Sequence, residues 1–166
     1  PEGDAYNYRV KYYENSDWLT LITTTSLSYL TDKTLEAGEH KFQITACNAT
    51  GWESYPSTLT IHIVAPPEEV YDGALESDLE YQTSSTTLSA SWEPVDGAVR
   101  YWYSVGTSPG STDVVDWTDN GTDTSFLLAD LELQEGTSYY VNIRAESIDG
   151  ILTEPITSNG IVVDVS

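Results

Sequence analysis

Short segments in which apolar and polar residues alternate constrain this chain more than any other feature. The two clearest are "GEHKFQITACN" and "SYYVNIRAES", whose apolar or aromatic positions are His40, Phe42, Ile44 and Ala46 in the first and Tyr139, Val141, Ile143 and Ala145 in the second. A period of two indicates strands with one buried face and one solvated face. Gly, Pro, Asn and Asp bound these segments, and none of them shows a helical period. The sequence therefore predicts an all-β chain of antiparallel sheets packed as sandwiches.

An internal repeat divides the chain into two related halves. The segment "PEGDAYNYRVKYY" from Pro1 aligns without gaps with "PVDGAVRYWYSVG" from Pro94. Further along, "LEAGEHKFQITACNATG" from Leu35 matches "LQEGTSYYVNIRAESIDG" from Leu133 with small differences in length. Self-similarity of this kind predicts two copies of one structural unit.

The boundaries of the two units follow from their last strands. Each copy ends in one more strand, predicted at 57–64 and 159–166. Between the copies lies "APPEE", residues 65–69, whose two prolines predict a short and stiff linker. We therefore expect a first domain over 1–64 and a second over 70–166.

The second unit resembles a fibronectin type III domain over nearly its whole length. The resemblance rests on "SWEP", on "YWYSV" and on the run "LLADLELQEGTSYYVNIRAESIDG", which occur in the family's order. It implies that Trp92 lies on strand B and that Tyr139 is a tyrosine corner, a hydroxyl bonded to nearby backbone. His40 is expected to take a structural corner role, since it stands where the second unit has Tyr139. The stretch "YSVGTSPGSTDVVDWT" also resembles a variant found in large prokaryotic surface proteins.

The first unit departs from this family pattern, because strands A and B have no counterpart in it. Strand E alone would then cover the core, and six apolar side chains would be half exposed: Tyr8, Val10, Phe42, Ile44, Leu59 and Ile61. Two missing strands would remove several kcal/mol of apolar burial, which is comparable to the stability of a small domain. Two completions are open, namely chain upstream of Pro1 or a strand donated by a neighbouring subunit.

Charge narrows the classes of partner. The chain carries 27 acidic against six basic residues, a net charge of −21. Such acidity argues against binding to nucleic acid or to anionic membranes, and it favours solubility through self-repulsion. No apolar run is long enough to cross a membrane, and "PEGDAYNYRV" lacks the features of a signal peptide.

The residues of a catalytic site are missing from the sequence. It contains no G-x-S-x-G motif, no phosphate-binding loop and no His/Cys cluster with zinc spacing. The two histidines, His40 and His62, and the single cysteine, Cys47, fit strand positions. We therefore expect a protein that is not an enzyme.

Calcium is the cofactor that the acidic turns suggest. The turn "DWTDNGTD" offers four oxygen ligands, Asp116, Asp119, Asn120 and Asp123. It fails the EF-hand pattern, because the twelfth position counted from Asp116 is Leu127 rather than Glu. A second acidic cluster is formed by Glu68, Glu69 and Asp72. For both clusters a solvated acidic turn is the simpler alternative.

Outward aromatic residues suggest a contact surface for a carbohydrate or for another protein. By strand parity this surface holds Trp102, Tyr140 and Arg144, with Trp117 on the next strand and Trp52 in a loop of the first unit. Trp102 and Arg144 are expected to form a cation–π pair. Two glycosylation sequons, at Asn48 and Asn120, fall on predicted loops.

These observations favour a non-catalytic module of an extracellular or cell-surface protein. Its expected role is structural, as a spacer, adhesion or assembly module of a multidomain or filament-forming protein. Its expected partners are neighbouring domains or subunits, with strand donation to the first domain as one mode. The alternative is an accessory carbohydrate-binding module of a secreted polysaccharide-degrading enzyme.

Overall fold

A computed structural model of the chain describes residues 7–28, 30–73 and 78–166, and these fold as strands and loops without a helix. The chain divides into two compact units, residues 1–63 and 64–166. Within the described ranges, no helix is long and apolar enough to cross a membrane. The all-β class predicted from the alternating segments is confirmed.

The first unit contains one antiparallel sheet of four strands. They are β1 (Asn7–Glu14), β2 (Asp17–Thr24), β3 (Gly38–Cys47) and β4 (Ser57–Ile63), in the spatial order β2-β1-β3-β4. The β1–β2 hairpin turns through Asn15 and Ser16, which have φ of 52° and 66°. Positive φ at both central residues matches the right-handed twist of the flanking strands, so the turn is a tight one.

No strand covers this sheet among the described residues of the first unit. The expected strand E is wrong: the described part of residues 25–37 contains no strand. In the second unit the corresponding strand takes its ladder hydrogen bonds from a neighbouring strand of its own sheet. The described first unit offers no such neighbour, and a lone extended segment gains nothing from being a strand.

The second unit is a sandwich of two sheets. Its nine strands are β5 (Val70–Asp72), β6 (Tyr81–Gln82), β7 (Leu88–Trp92), β8 (Ala98–Gly106), β9 (Val115–Asp119), β10 (Ser125–Leu128), β11 (Ser138–Ser147), β12 (Ile156–Thr157) and β13 (Ile161–Val163). One sheet has the order β10-β7-β5. The other has the order β6-β13-β11-β8-β9, with β12 also paired to β11.

The core of the second unit lies between these sheets and follows the predicted parity. Trp92 of β7 is 4% exposed, and its ring meets the ring of Tyr101 at 5.6 Å. Val141 and Ile143 of β11 are fully buried, and Tyr103 stacks on Phe126 at 4.3 Å. The segment "YWYSV" lies on β8, and Trp117 lies on the next strand, β9, as the sequence predicted.

The last strand of the second unit differs from the predicted 159–166. It consists of the short strands β12 and β13, separated by residues 158–160. Gly160 has φ of 95° and donates its N–H to the carboxylate of Asp72 at 2.8 Å, so its backbone leaves the sheet. At the other boundary, Val64 and Pro67 are buried within the second unit.

Candidate functional site

The uncovered face of the first sheet forms an apolar groove of about 360 Å³. Its lining is entirely uncharged and consists of Tyr8, Val10, Thr24, Ser26, Leu27, Ser28, Thr31, Phe42, Ile44 and Leu59. Ile44 is 46% exposed and Leu59 is 57% exposed, and none of the six side chains expected to be half exposed is fully buried. Contiguous apolar surface of this kind marks a contact site more often than a solvated face.

One end of this face is closed by a hydrogen-bonded corner around His40. His40 Nε2 lies 2.7 Å from the Glu36 carbonyl oxygen, and Nδ1 lies 2.7 Å from the Tyr12 hydroxyl. Because a carbonyl only accepts, Nε2 carries the proton, and the Tyr12 hydroxyl donates to Nδ1. In the second unit the Tyr139 hydroxyl accepts from the Gln134 N–H at 2.8 Å. His40 and Tyr139 thus both tie their strand to the preceding turn.

The outward aromatic residues of the second unit are paired differently from the prediction. Arg144 stacks on Trp117, with its Cζ 3.6 Å from the ring centroid, and not on Trp102. Trp102 instead donates its indole N–H to Glu146 Oε2 at 2.6 Å. The expected Trp102–Arg144 pair is therefore wrong, because Arg144 reaches across to the ring on β9. Trp102 and Trp117 do lie on one face, as the pairing of Trp102 with Asp119 requires.

Part of this outward face is covered by a loop that sequence parity did not reveal. Asn142 points outward from β11 and is nevertheless fully buried. Its side chain donates to Ser104 Oγ and to the Ser111 carbonyl, and it accepts from the Gly110 N–H. The loop 107–114 therefore closes over Asn142, while Tyr140 stays partly exposed beside it. Strand parity places Asn142 on the solvent-facing side of β11, so its burial could be recognised only from the folded structure.

The acidic turn 116–123 uses its side chains within the turn. Asp119 Oδ1 accepts from the Gly121 N–H, Asp116 Oδ1 accepts from the Trp117 N–H, and Asn120 Nδ2 donates to the carbonyls of Asp123 and Ser125. Across the described ranges, no group of three His, Cys, Asp or Glu side chains is placed to hold a metal ion. The structure thus does not gather Asp116, Asp119, Asn120 and Asp123 around one point.

The second acidic cluster is also separated. Glu68 and Glu69 are exposed, whereas Asp72 is fully buried. Burial raises the pKa of Asp72 to about 6, against the hydrogen bonds that Ser158 and Gly160 donate to its carboxylate. Its Oδ1 atom has no hydrogen-bond partner. Asp72 therefore links β5 to the broken last strand and does not stand beside Glu68 and Glu69.

The two sequons differ in how their side-chain nitrogens are used. Asn48 Oδ1 accepts from the Thr50 N–H, the Thr50 hydroxyl and the Trp52 N–H, which folds the loop after β3. Trp52 is 64% exposed on that loop. At Asn120, by contrast, Nδ2 itself donates the two turn hydrogen bonds. A glycan bonded to Nδ2 would therefore disturb the turn at Asn120 but not the loop at Asn48.

Comparison with known proteins finds no matching family model and no matching curated protein. Among solved structures, the chain is similar to the FN1–FN3 domains of chicken CNTN1 (17% identity, 98% of this chain, 57% of that chain, TM-score 0.49). It is similar to a two-domain fibronectin type III segment of chicken tenascin (21%, 95% and 85%, TM-score 0.46). A third similarity is to an Fn3-like protein from Clostridium thermocellum (23%, 61% and 92%, TM-score 0.41). The chain thus spans somewhat over half of the CNTN1 structure.

Proposed function

We propose that this chain is a non-catalytic structural module that assembles with another polypeptide segment through the groove of its first unit. The observation that carries the proposal is the contrast between two residues at one strand position. Ile143 of the second unit is fully buried beneath a second sheet, whereas Ile44 of the first unit is 46% exposed. The first unit is stable as a sandwich only when something covers that face.

The energetic argument is one of apolar area. Burial of apolar surface contributes roughly 25 cal/mol per Å², so covering a sheet face contributes several kcal/mol. The rim of the sheet is held by ion pairs, Lys33 with Glu14 at 2.8 Å and Arg9 with Glu53. Exposed pairs of this type contribute little to stability. Burial of the open face by a covering segment is therefore the main stabilisation that the first unit lacks.

The proposed setting is outside the cell, as part of a multidomain or filament-forming surface protein. The net charge of −21 disfavours binding to nucleic acid and to anionic membranes. The described residues contain no cluster with the spacing of a catalytic metal site, and the buried polar groups described above hold backbone and loops. We accordingly propose that the chain acts as a spacer, adhesion or assembly module.

A photocrosslinking amino acid at position 44 tests the proposal in the protein as it is made by the cells that express it. A matched control places the same amino acid at position 43, on the opposite face of β3. We expect position 44 to crosslink to one defined segment, identified by mass spectrometry, and position 43 not to do so. Equal crosslinking from both positions, or none from position 44, would contradict the proposal.

Carbohydrate binding is the second candidate, and it rests on the aromatic face of the second unit. One face of Trp117 is occupied by Arg144, and the N–H of Trp102 is used by Glu146. Sugar rings would therefore have to stack on Tyr140 and on the parts of Trp102 and Trp117 that stay exposed. Titration of tryptophan fluorescence with soluble polysaccharides separates the two functions, since only a carbohydrate-binding module gives a saturable change.

A further inference from the structure

β2 and β9 occupy the same place in the two units, since each is the outer neighbour of an aligned strand, β1 or β8. β2 ends the order β2-β1-β3-β4, and β9 ends the order β6-β13-β11-β8-β9. The second unit also has a covering sheet, and even there no described strand pairs with the outer side of β9. The opposite edge differs, because β13, the counterpart of β4, pairs with β6. The free outer edge of β2 and β9 therefore belongs to this position of the fold, whatever chain precedes β1.

The outer edge of β2 has a composition that favours pairing with another strand. After Asp17 the strand reads WLTLITT, which is uncharged and rich in β-branched side chains. Leu19 is 45% exposed on this strand. An edge strand presents unpaired N–H and C=O groups, and a second copy of the chain carries an identical edge. We therefore looked for contacts that withhold these backbone groups.

A side chain at the start of β2 occupies its first outward donor. Asp17 pairs with Glu14 across the two-residue turn, so the backbone groups of Asp17 face β1 and those of Trp18 face away from the sheet. Asp17 Oδ1 accepts the Trp18 N–H at 2.7 Å. The Trp18 ring packs on the ring of Tyr13 at 5.1 Å, which holds the residue on the sheet. The outward N–H is thus satisfied within its own strand.

The same contact occurs on β9. Tyr101 of β8 exchanges backbone hydrogen bonds with the turn that follows β9, so every second residue of β8 faces β9. Thr118 pairs with one of these residues, and Trp117 beside it faces away from β8. Asp116 Oδ1 accepts the Trp117 N–H at 2.8 Å, and Arg144 stacks on the Trp117 ring. Trp117 is the middle residue of this five-residue strand, so the occupied donor is the central one of the edge.

The repetition of this contact ties it to the edge position. The dipeptide Asp-Trp occurs at two places in the sequence, residues 17–18 and 116–117, and both lie on these outer strands. Asp and Asn side chains are short enough to accept a nearby backbone N–H, which Glu and Gln are not suited to do. The contact therefore depends on the length of the side chain and on its oxygen, and it does not require a charge.

We propose that Asp17 and Asp116 prevent edge-to-edge pairing between copies of this chain by occupying the outward N–H of the tryptophan that follows each of them. A strand added from a second copy would have to accept that N–H, and the aspartate oxygen already does so. The inference goes beyond the proposed function and does not rest on it, because the groove lies on a face of the first sheet and these contacts lie on strand edges.

The test separates the hydrogen bond from the charge in the full chain. The double variant Asp17→Glu, Asp116→Glu keeps both charges and loses both short contacts. The matched control Asp17→Asn, Asp116→Asn loses both charges and keeps an oxygen at the same place. We expect sedimentation velocity to show self-association of the Glu variant at least about tenfold stronger than that of the wild type. The Asn variant should associate no more than the wild type.

Amide hydrogen exchange locates the association. In the Glu variant, exchange at residues 17–20 and 115–119 should become slower as the protein concentration rises, while β11 keeps its wild-type protection. Association of the Asn variant would overturn the inference, because that variant retains the acceptor. A Glu variant that associates no more than the wild type would overturn it as well, and so would association that protects amides outside these two strands. The crosslinking experiment at position 44 tests the groove separately.

Discussion

The carboxylate of Asp72 accepts the backbone N–H of Gly160 at 2.8 Å, which joins the first and last strands of the second unit. Asp78 reinforces this joint: it accepts from the Asp72 N–H at 3.1 Å and from Asn159 Nδ2 at 2.8 Å. The joint explains why the last strand is broken at residues 158–160. It also places a fully buried carboxyl with one unpartnered oxygen inside a strongly acidic domain.

Asp72 makes the second unit more stable in mild acid than at neutral pH. Its pKa is raised from 3.8 to about 6 in the folded protein, mainly by burial. A folded pKa above the unfolded pKa contributes stability that is complete below about pH 4 and is lost as the pH rises through 6. The full difference is at most about 3 kcal/mol.

Asp72→Asn should therefore flatten the pH dependence of the unfolding free energy between pH 4 and pH 7, measured by urea titration. Relative to the wild type, the variant should gain stability as the pH rises across this range. The exposed control Glu135→Gln should leave that dependence unchanged. If the unfolding free energies of Asp72→Asn and the wild type change in parallel with pH, ionisation of Asp72 does not destabilise the folded protein.

Truncation of the isoleucine at the equivalent strand position should destabilise the two units to different extents. Ile143→Ala should lower the unfolding free energy of the second unit by about 3 kcal/mol, because it leaves a cavity between packed sheets. Ile44→Ala should lower that of the first unit by about 1 kcal/mol or less, since its side chain is already 46% exposed. Amide hydrogen exchange, which resolves the units, measures both changes. Equal costs would mean that the first sheet is covered in solution.

Strand parity was enough to predict the sheets but not the groups that join them. Tyr103, Val141 and Ile143 are buried as their alternation predicts. Asn142 and Asp72 were not predicted to be buried, because their burial depends on a loop and on a strand distant in sequence. Parity pairs Arg144 with its cross-strand neighbour Trp102 on β8, whereas its long side chain reaches over β8 to Trp117 on β9. Parity fixes the face of a side chain and leaves its partner to the tertiary structure.

Glycosylation should distinguish the two sequons when the chain is expressed in a secretory eukaryotic host. Asn48 uses its oxygen in the loop, whereas Asn120 donates both turn hydrogen bonds through its nitrogen. We expect peptide mass spectrometry to find a glycan on Asn48 at higher occupancy than on Asn120. Asn120→Asp should destabilise the second unit by about 1 kcal/mol, since two carbonyls lose their donor. Equal occupancy at both sites would contradict this reading of the turn.

Replacement of Gly160 should be costly for two separable reasons. It has φ of 95°, and a Cβ there would lie 2.5 Å from the ring of Tyr140. Gly110 has φ of 80° with nothing within 4 Å of a Cβ, so Gly110→Ala measures the backbone term alone. We expect Gly110→Ala to cost about 1 kcal/mol and Gly160→Ala clearly more, by urea unfolding. Adding Tyr140→Ala to Gly160→Ala should recover part of the difference by removing the clash. If the two alanine variants cost the same, Tyr140 does not pack on Gly160 in solution.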